Sequence, residues 1–204
     1  GTNKDFRVYM PPANALAIGN PKFDWLYYTE PQEHLGGRRV YWPRGRGLGG
    51  SSAINGMIYI RGNARDYDRW RQKGLAGWSF DDVLPYFKRA ESFQDRDDPY
   101  HGSDGPWKIR TTDVDDPIFD CFFDAIESAG YQKAPDYNGA AQEGFARLQV
   151  NAVNGRRQSA AVAYLRPAMK RPNVEVQVRA HVNRVLVEDG RAVGIEYQQD
   201  GKIH

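Results

Sequence analysis

The residues of this chain that could do chemistry are concentrated in Gly45–Gly62, GRGLGGSSAINGMIYIRG. Four glycines fall in the first six positions, Ser51 and Ser52 follow, and Asn55-Gly56 comes next. A glycine lets the backbone press against a ligand with no Cβ in the way. Exposed amides in such a turn make a nest for an anion, and the serine hydroxyls can reach phosphate or ribose oxygens. A flat ring system with a pyrophosphate tail suits both features.

Other readings of the same loop stay open. Gly45, Gly47 and Gly50 satisfy G-x-G-x-x-G, but a dinucleotide fingerprint also needs a hydrophobic strand before it, a helix after it and an acid about 20 residues on. Pro43 and Arg44 precede this one, and Asp66 and Asp68 sit in a charged, helix-like stretch. A plain glycine turn joining two elements is the bland alternative. A Walker phosphate loop is excluded, because no Gly-Lys-Ser/Thr occurs.

The remaining candidates are isolated. His34, His101, His181 and His204 are far apart and lack metal-ligand spacing. His101, in YHGSDGP, reads as a turn histidine rather than a base. Arg156 and Arg157 could hold an acidic substrate, but a salt bridge from turn to helix is the simpler expectation. Arg65, Asp66 and Asp68 read as a surface network, and Ser159 as a helix cap rather than a nucleophile. Cys121, the one cysteine, excludes an internal disulfide and sits in the apolar patch IFDCFF, which predicts a buried, inert thiol.

Several elements must position these residues. Residues 1–44 are irregular, with possible short strands at Asp24–Thr29 and Arg38–Pro43. So long an irregular segment suggests that it wraps something supplied elsewhere. Residues Ser51–Ile60 have apolar residues at helical spacing and predict a helix. Ser79 with Asp82 forms a capping-box pattern before the face Val83, Leu84, Phe87 and Ala90, with Pro85 in the first turn or at a kink. Asp116, Pro117 and Gly130 bracket the clearest helix, with Ile118, Phe122, Ile126 and Ala129 as its buried face. A strand over Gly144–Val153 ends at Asn154-Gly155, and a helix runs from Ser159 to about residue 170. The tail, 173–204, alternates as β-strands with Asp-Gly turns at 189–190 and 200–201.

The 204 residues suffice for a sizeable core. Charge is nearly balanced, with 28 basic and 26 acidic residues, which gives no basis for a nucleic-acid partner. The aromatic residues then read as packing rather than as a stacking platform. No apolar run approaches the ~18 residues of a membrane span. Without a signal peptide or an N-x-S/T site, the default location is cytoplasmic, peripheral membrane association being the other option.

The stretch Gly45–Trp70, most specifically Arg44–Gly62, closely resembles the first signature of the GMC (glucose–methanol–choline) oxidoreductases. DWLYYTEPQ, GWSFDDVLPYFKRAE, YHGSDGPWKI, NGRRQSAAVAYLRPA and RAVGIEY resemble further family segments in family order. The bacterial choline-dehydrogenase-like and alcohol-dehydrogenase-like branch is the nearest fit. The resemblance implies an α+β or α/β fold: part of an FAD-binding domain plus part of a substrate domain with an antiparallel sheet and flanking helices. It divides the chain into a flavin-covering part (1–75), a helical and β part of the substrate domain (76–172), and strands returning to the FAD domain (173–204).

Carried over by position, the resemblance places Arg46 and Leu48 at the loop entrance, Gly49, Gly50, Ser51 and Ser52 beside flavin and pyrophosphate, and Asn55, Gly56, Met57 and Ile58 near the isoalloxazine ring. Val182 falls where the family's late β segment contacts the adenine side. Some members link FAD covalently through a histidine in this loop; Ala53 at that place implies non-covalent FAD. The implied reaction is oxidation of an alcohol, choline-like or another primary alcohol, by hydride transfer to flavin. The implied partners are that alcohol and the remaining parts of the same protein. The true dinucleotide fingerprint and the catalytic histidine are expected outside this chain, so no catalytic residue and no metal ligand is named within it, and the chain alone is expected to be inactive. The rival is a scaffold or binding module that no longer holds flavin, although such a module has no need of Gly49, Gly50, Asn55 and Gly56 together.

Overall fold

The order of short elements follows the punctuation of the sequence. The structure, a computed structural model, describes residues 4–95 and 98–204. They divide into two compact units, one ending at Arg166 and the other Pro167–His204.

The first unit opens with a one-turn helix α1 (Phe6–Tyr9), capped by the Asp5 carboxylate, and a 3₁₀ turn at Pro11–Leu16. Strands β1 (Tyr27–Tyr28) and β2 (Tyr41–Trp42) pair antiparallel, Tyr27 opposite Trp42. The irregular opening packs in part on its own chain. Val8, Ala17 and Phe23 form a buried cluster with Ala53 and Ile54 of the glycine-rich segment of the same chain. A core that small is held by apolar burial at about 25 cal/mol per Å².

The helix expected over Ser51–Ile60 is absent. Only Gly50–Ala53 winds, as a 3₁₀ turn. Met57 then takes a left-handed backbone (φ 63°), and Ile58 bridges to Val150 as an extended residue. Asn55-Gly56 breaks the period: the Asn55 Oδ1 accepts the Met57 amide at 3.2 Å, closing a turn where a helical bond would otherwise form.

Helices α2 (Ala64–Gln72) and α3 (Phe80–Ala90) each start at a side-chain cap, the second as its capping-box pattern predicts. Asn63 caps α2, and Gly74 (φ 96°) closes the turn after it. Ser79 and Asp82 complete the capping box of α3, with Pro85 tolerated inside the helix. Tyr67, Trp70, Trp78, Phe80 and Phe87 meet between them in tilted and edge-on pairs. Strand β3 (Glu91–Phe93) runs parallel to β4 (Trp107–Thr111), and β4 pairs antiparallel with β5 (Gln149–Val150).

Helix α4 (Pro117–Ser128) has the predicted cap, Asp116, and proline at its first position. Its face differs from expectation: Ile118 and Phe122 are exposed, while Phe123 stacks on Phe145. Cys121 is exposed too, so the buried thiol is corrected. Strands β6 (Ala152–Val153) and β7 (Arg156–Arg157) form a hairpin through Asn154-Gly155, both at positive φ (51° and 67°), the twist a two-residue turn requires. The helix after Ser159 spans Ala161–Ala168 and begins as a π-helical turn, Ala161–Leu165.

In the second unit, β8 (His181–Glu188), β9 (Arg191–Gln199) and β10 (Lys202–Ile203) make an antiparallel meander in the order β10-β9-β8. Both Asp-Gly turns have the predicted left-handed pairs. Residues 173–180, expected as a strand, have no ladder partner among the described residues. The whole is an α+β structure with mixed sheets.

Candidate functional site: the glycine-rich loop and its supports

Asp24 fixes where the loop begins. It is buried, and its carboxylate accepts the amides of Gly19, Leu26 and Arg44 at 3.0–3.1 Å and the Tyr41 hydroxyl. Burial pushes its pKa up, but the four hydrogen bonds outweigh that and hold it below the usual carboxylate range. Trp25 donates its amide to the Arg44 carbonyl, and Arg46 its own to Phe23, at 2.9 and 2.7 Å. The chain therefore enters the loop already clamped on both sides.

The loop then folds on itself. A Cβ at Gly45 would run into the Gly50 carbonyl, and the Gly45 amide donates to Ser51 Oγ at 3.1 Å. Gly47, Gly49 and Gly50 stand at φ 145°, 90° and 54°, where other residues are strained. Ser52 Oγ donates to the Gly49 carbonyl at 2.5 Å and accepts the Ala160 amide at 2.9 Å. The expectation that both serine hydroxyls face a ligand is thus corrected for Ser52: its hydroxyl ties the loop to the start of the next helix.

Ala53 and Ile54 anchor the loop in the core, whereas Ser51, Asn55, Gly56 and Ile58 are exposed. A Cβ built on Gly50 or Gly56 meets nothing within 4 Å, so open space adjoins the backbone there. Met57 is buried, its amide donating to Asn55 and its carbonyl accepting Asn151 at 3.1 Å. Its own polar backbone atoms are therefore committed to the protein. Arg46 lays its guanidinium 4.8 Å from the Trp25 ring centre, and Leu48 is half-buried. The structure brings Arg46, Leu48, Gly49, Gly50, Ser51, Ser52, Asn55, Gly56, Met57 and Ile58 together in one continuous loop. Val182 lies in the second unit, in β8 opposite Tyr197.

Sequence reasoning missed the residue that holds the loop from behind. Among the described residues Arg157 makes no salt bridge, contrary to expectation. It is 2% exposed, and its Nη1 donates to the Asn55 carbonyl (2.7 Å), Asn55 Oδ1 (2.8 Å) and the Ser52 carbonyl (3.2 Å), while Nε reaches the Val8 carbonyl at 3.0 Å. Burial pulls its pKa down to about 10. Arg156, its neighbour, stacks over Tyr9. The available signal was an Arg-Arg pair with no acid close by in sequence.

His101 was underestimated as well. It is fully buried, with Nδ1 2.8 Å from Glu91 Oε1 and Nε2 2.8 Å from Asp136 Oδ2. Arg61 Nη2 donates to the same Glu91 oxygen at 2.7 Å, and Asp136 Oδ1 accepts from Gln149 (2.6 Å) and the Asn138 amide (3.0 Å). Burial lowers the imidazole's affinity for its proton, but the hydrogen bonds to Asp136 and Glu91 reverse this and push its pKa up to about 9. Hydrogen bonds from His101, the Asn138 amide and Gln149 hold Asp136 down to about 2 against its burial. Asp98, His101 and Asp136 approach one another as metal ligands would, yet both ring nitrogens of His101 are already taken. The arrangement is an ion-pair network, two cations with two carboxylates, that ties β3 to the 136–138 turn. The surface trio behaves more simply: Asp66 lies 4.0 Å from Arg69, and Asp68 accepts the Phe80 amide at 3.0 Å.

Residues 15–204 match the GMC oxidoreductase family. The chain belongs to that family. Over 203 residues it is 45% identical to an oxygen-dependent choline dehydrogenase of Sinorhizobium fredii, covering all of this chain and 37% of that protein. A protein of the same name from Staphylococcus xylosus is 47% identical over 203 residues, covering 98% and 36%. The chain thus spans little more than a third of the length of the curated relatives it matches. Among solved structures, pyridoxine 4-oxidase from Mesorbium loti superposes with a TM-score of 0.89 at 30% identity, over 98% of this chain and 40% of that one. An FAD-dependent oxidoreductase from Chaetomium thermophilum shares the fold, with a TM-score of 0.85 at 23% identity over 100% of this chain and 37% of that one. FAD is the family's cofactor. Among the described residues no helix is long and apolar enough to cross a membrane.

Proposed function

We propose that this chain is the flavin-covering part, together with part of the substrate domain, of an FAD-dependent oxidoreductase that converts a CH–OH group to a carbonyl. A primary alcohol of the choline type is the first substrate to try, on the strength of the choline dehydrogenases among its relatives. The observation that carries the reading is the bare backbone at Gly50 and Gly56, with open space beside it, on either side of the core-anchored Ala53-Ile54. A ring laid there meets no side chain at either glycine, so the residues present fit the cofactor.

Bound FAD would supply the hydride acceptor. The chain's own share is positioning. Arg157 and the Met57 amide fix the Asn55 side chain, so contacts within the chain hold the loop in shape. Ala53, buried and without a nucleophilic atom, leaves FAD held by non-covalent contacts. His101 is no base for the alcohol, because Glu91 and Asp136 occupy both its nitrogens. We place the base in a histidine outside these 204 residues. The division into a flavin-covering part (1–75), a substrate part (76–172) and returning strands (173–204), with Val182 toward the adenine, belongs to the same proposal.

The test is the visible spectrum of the full-length protein carrying this chain, before and after denaturation. Flavin bands that pass into the filtrate support non-covalent FAD, and anaerobic bleaching by choline supports the substrate class. A colourless protein that takes up no added FAD refutes the reading in favour of a scaffold without flavin.

A further inference from the structure

Arg157 is a buried cation whose charge falls on backbone rather than on a carboxylate. Among the described residues it makes no ion pair, and its Nη1 donates to the Asn55 carbonyl at 2.7 Å. Asn14 Nδ2 adds a long bond to the same oxygen, at 3.4 Å. With a pKa of about 10, Arg157 keeps its proton at neutral pH. A hydrogen bond from an ionised donor is roughly twice as strong as a neutral one. It also draws electron density through the peptide resonance, so the N–H of the same peptide unit becomes a better donor. The unit is Asn55–Gly56, and the N–H is that of Gly56.

Peptide planarity fixes where that N–H points. The described residues contain no cis peptide bond, and in a trans unit C=O and N–H point in opposite directions. The Asn55 carbonyl faces the buried Arg157, so the Gly56 N–H faces away from it. Gly56 is exposed, its amide has no hydrogen-bond partner among the described residues, and a Cβ built on it meets nothing within 4 Å. Its neighbours are committed: the Asn55 amide donates to the Ser51 carbonyl at 3.0 Å, and the Met57 amide to Asn55 Oδ1 at 3.2 Å. Of three successive N–H groups, the one polarised by Arg157 is the one left for a ligand.

We propose that Arg157 raises the electron affinity of the flavin by polarising the Asn55–Gly56 peptide, whose outward N–H donates to the ring. This rests on the flavin reading above. A hydride carries two electrons and one proton, so the ring gains one negative charge on accepting it. A donor already aimed at the ring is therefore worth more after reduction than before. Arg157 is a positioning residue: its charge reaches the ring through one peptide unit and not by contact.

The experiment has two readouts on the full-length protein, with FAD content followed by absorbance. Carbonyl-13C asparagine and 15N glycine supplied together make only Asn-Gly peptides visible in a correlation spectrum, and Gly56→Ala assigns the signal by deleting it. Loading wild type with FAD is expected to move the Gly56 amide proton downfield. In the FAD-free protein, Arg157→Met is expected to move the Asn55 carbonyl carbon upfield. The second readout is the two-electron midpoint potential against a reference dye. In Arg157→Met the reduction equilibrium should fall about tenfold, the difference between a charge-assisted and a neutral bond, which is about 30 mV. Arg157→Lys should fall between the two. Arg156→Ala, which removes the same charge from an exposed neighbour, should leave the potential unchanged. A Gly56 amide unmoved by FAD overturns the proposal, and this arm needs no variant to fold. So does an unchanged potential in Arg157→Met that still carries FAD, or an equal fall in Arg156→Ala, which would assign the effect to net charge. A wild type that takes up no FAD refutes the flavin reading and this proposal with it, whereas FAD uptake with an unmoved Gly56 amide refutes this proposal alone.

Discussion

The buried His101 makes the stability of this protein depend on pH in a defined direction. An unfolded histidine titrates near 6.5, and in the folded chain Asp136 and Glu91 raise His101 to about 9. A group whose folded pKa is raised binds its proton more tightly when folded. Its contribution is therefore complete below pH 6.5 and is lost as pH rises through 9. At about 1.4 kcal/mol for each pH unit, the loss between 6.5 and 9 comes to about 3 kcal/mol. The opposite limb belongs to Asp136, which is held at about 2 and whose contribution fades as pH falls from about 4 toward 2. The His101–Asp136 contact enters both limbs, so the two are not additive. Replacing His101 by Gln removes the proton and leaves Asp136 facing a neutral amide, while Glu91 keeps Arg61. Loss of one partner of a buried pair costs about 3–5 kcal/mol. The assay is urea unfolding at several pH values between 6 and 9.5, together with an NMR titration of the histidine ring protons. The wild type is expected to lose about 3 kcal/mol over that range and His101→Gln to show a flat profile. Equal slopes in the two proteins, or a His101 ring that titrates near 6.5, would refute the reasoning.

Three further outcomes follow from the geometry. A Cβ added at Gly56 meets no atom of the described residues within 4 Å, so for Gly56→Ala the melting temperature should move by less than about 2 °C, equivalent to ~0.5 kcal/mol; equilibrium dialysis of the full-length protein should nonetheless show FAD binding at least tenfold weaker. Gly49→Ala combines a φ of 90° with a Cβ 3.2 Å from Ala161 and should destabilise by about 1–3 kcal/mol in urea unfolding; an unchanged midpoint would show that the loop is softer than described. Ser79→Ala removes the capping box of α3 and should cost about 1 kcal/mol, with partial recovery by Ser79→Asp.

What could be read from the sequence and what could not divides along chain separation. The capping box Ser79–Asp82, the Asp116-Pro117 start and the turns at Asn154-Gly155 and Asp189-Gly190 all close their hydrogen bonds within a few residues, so residue type alone specified them. The helix expected over Ser51–Ile60 gives way for a local reason: the Asn55 side chain competes for the backbone amide two residues on, against the helical spacing of the apolar residues. Burial was the less legible quantity. The apolar stripe of α4 states that Ile118 and Phe122 suit a covered face, not which part of a protein covers them, and here both are exposed.

The supports of the site were hidden for a different reason. Arg61, Glu91, His101 and Asp136 are separated by 10 to 77 residues from their partners, and each alone has the composition of a surface charge. Arg157 lies 102 residues from Asn55, whose side chain and carbonyl it holds. Glycines can make a loop able to approach a ligand, but they also make it floppy, since glycine loses the most backbone freedom on ordering. Something distant must therefore remove that freedom, and a multidentate donor does so best, because one side chain then fixes several carbonyls at once. Arg157 satisfies Val8, Ser52 and Asn55 together. The legible half of the site, the glycines, thus implies the illegible half, a buried donor elsewhere in the chain. A search for arginines without an acid nearby in sequence is the way to look for it.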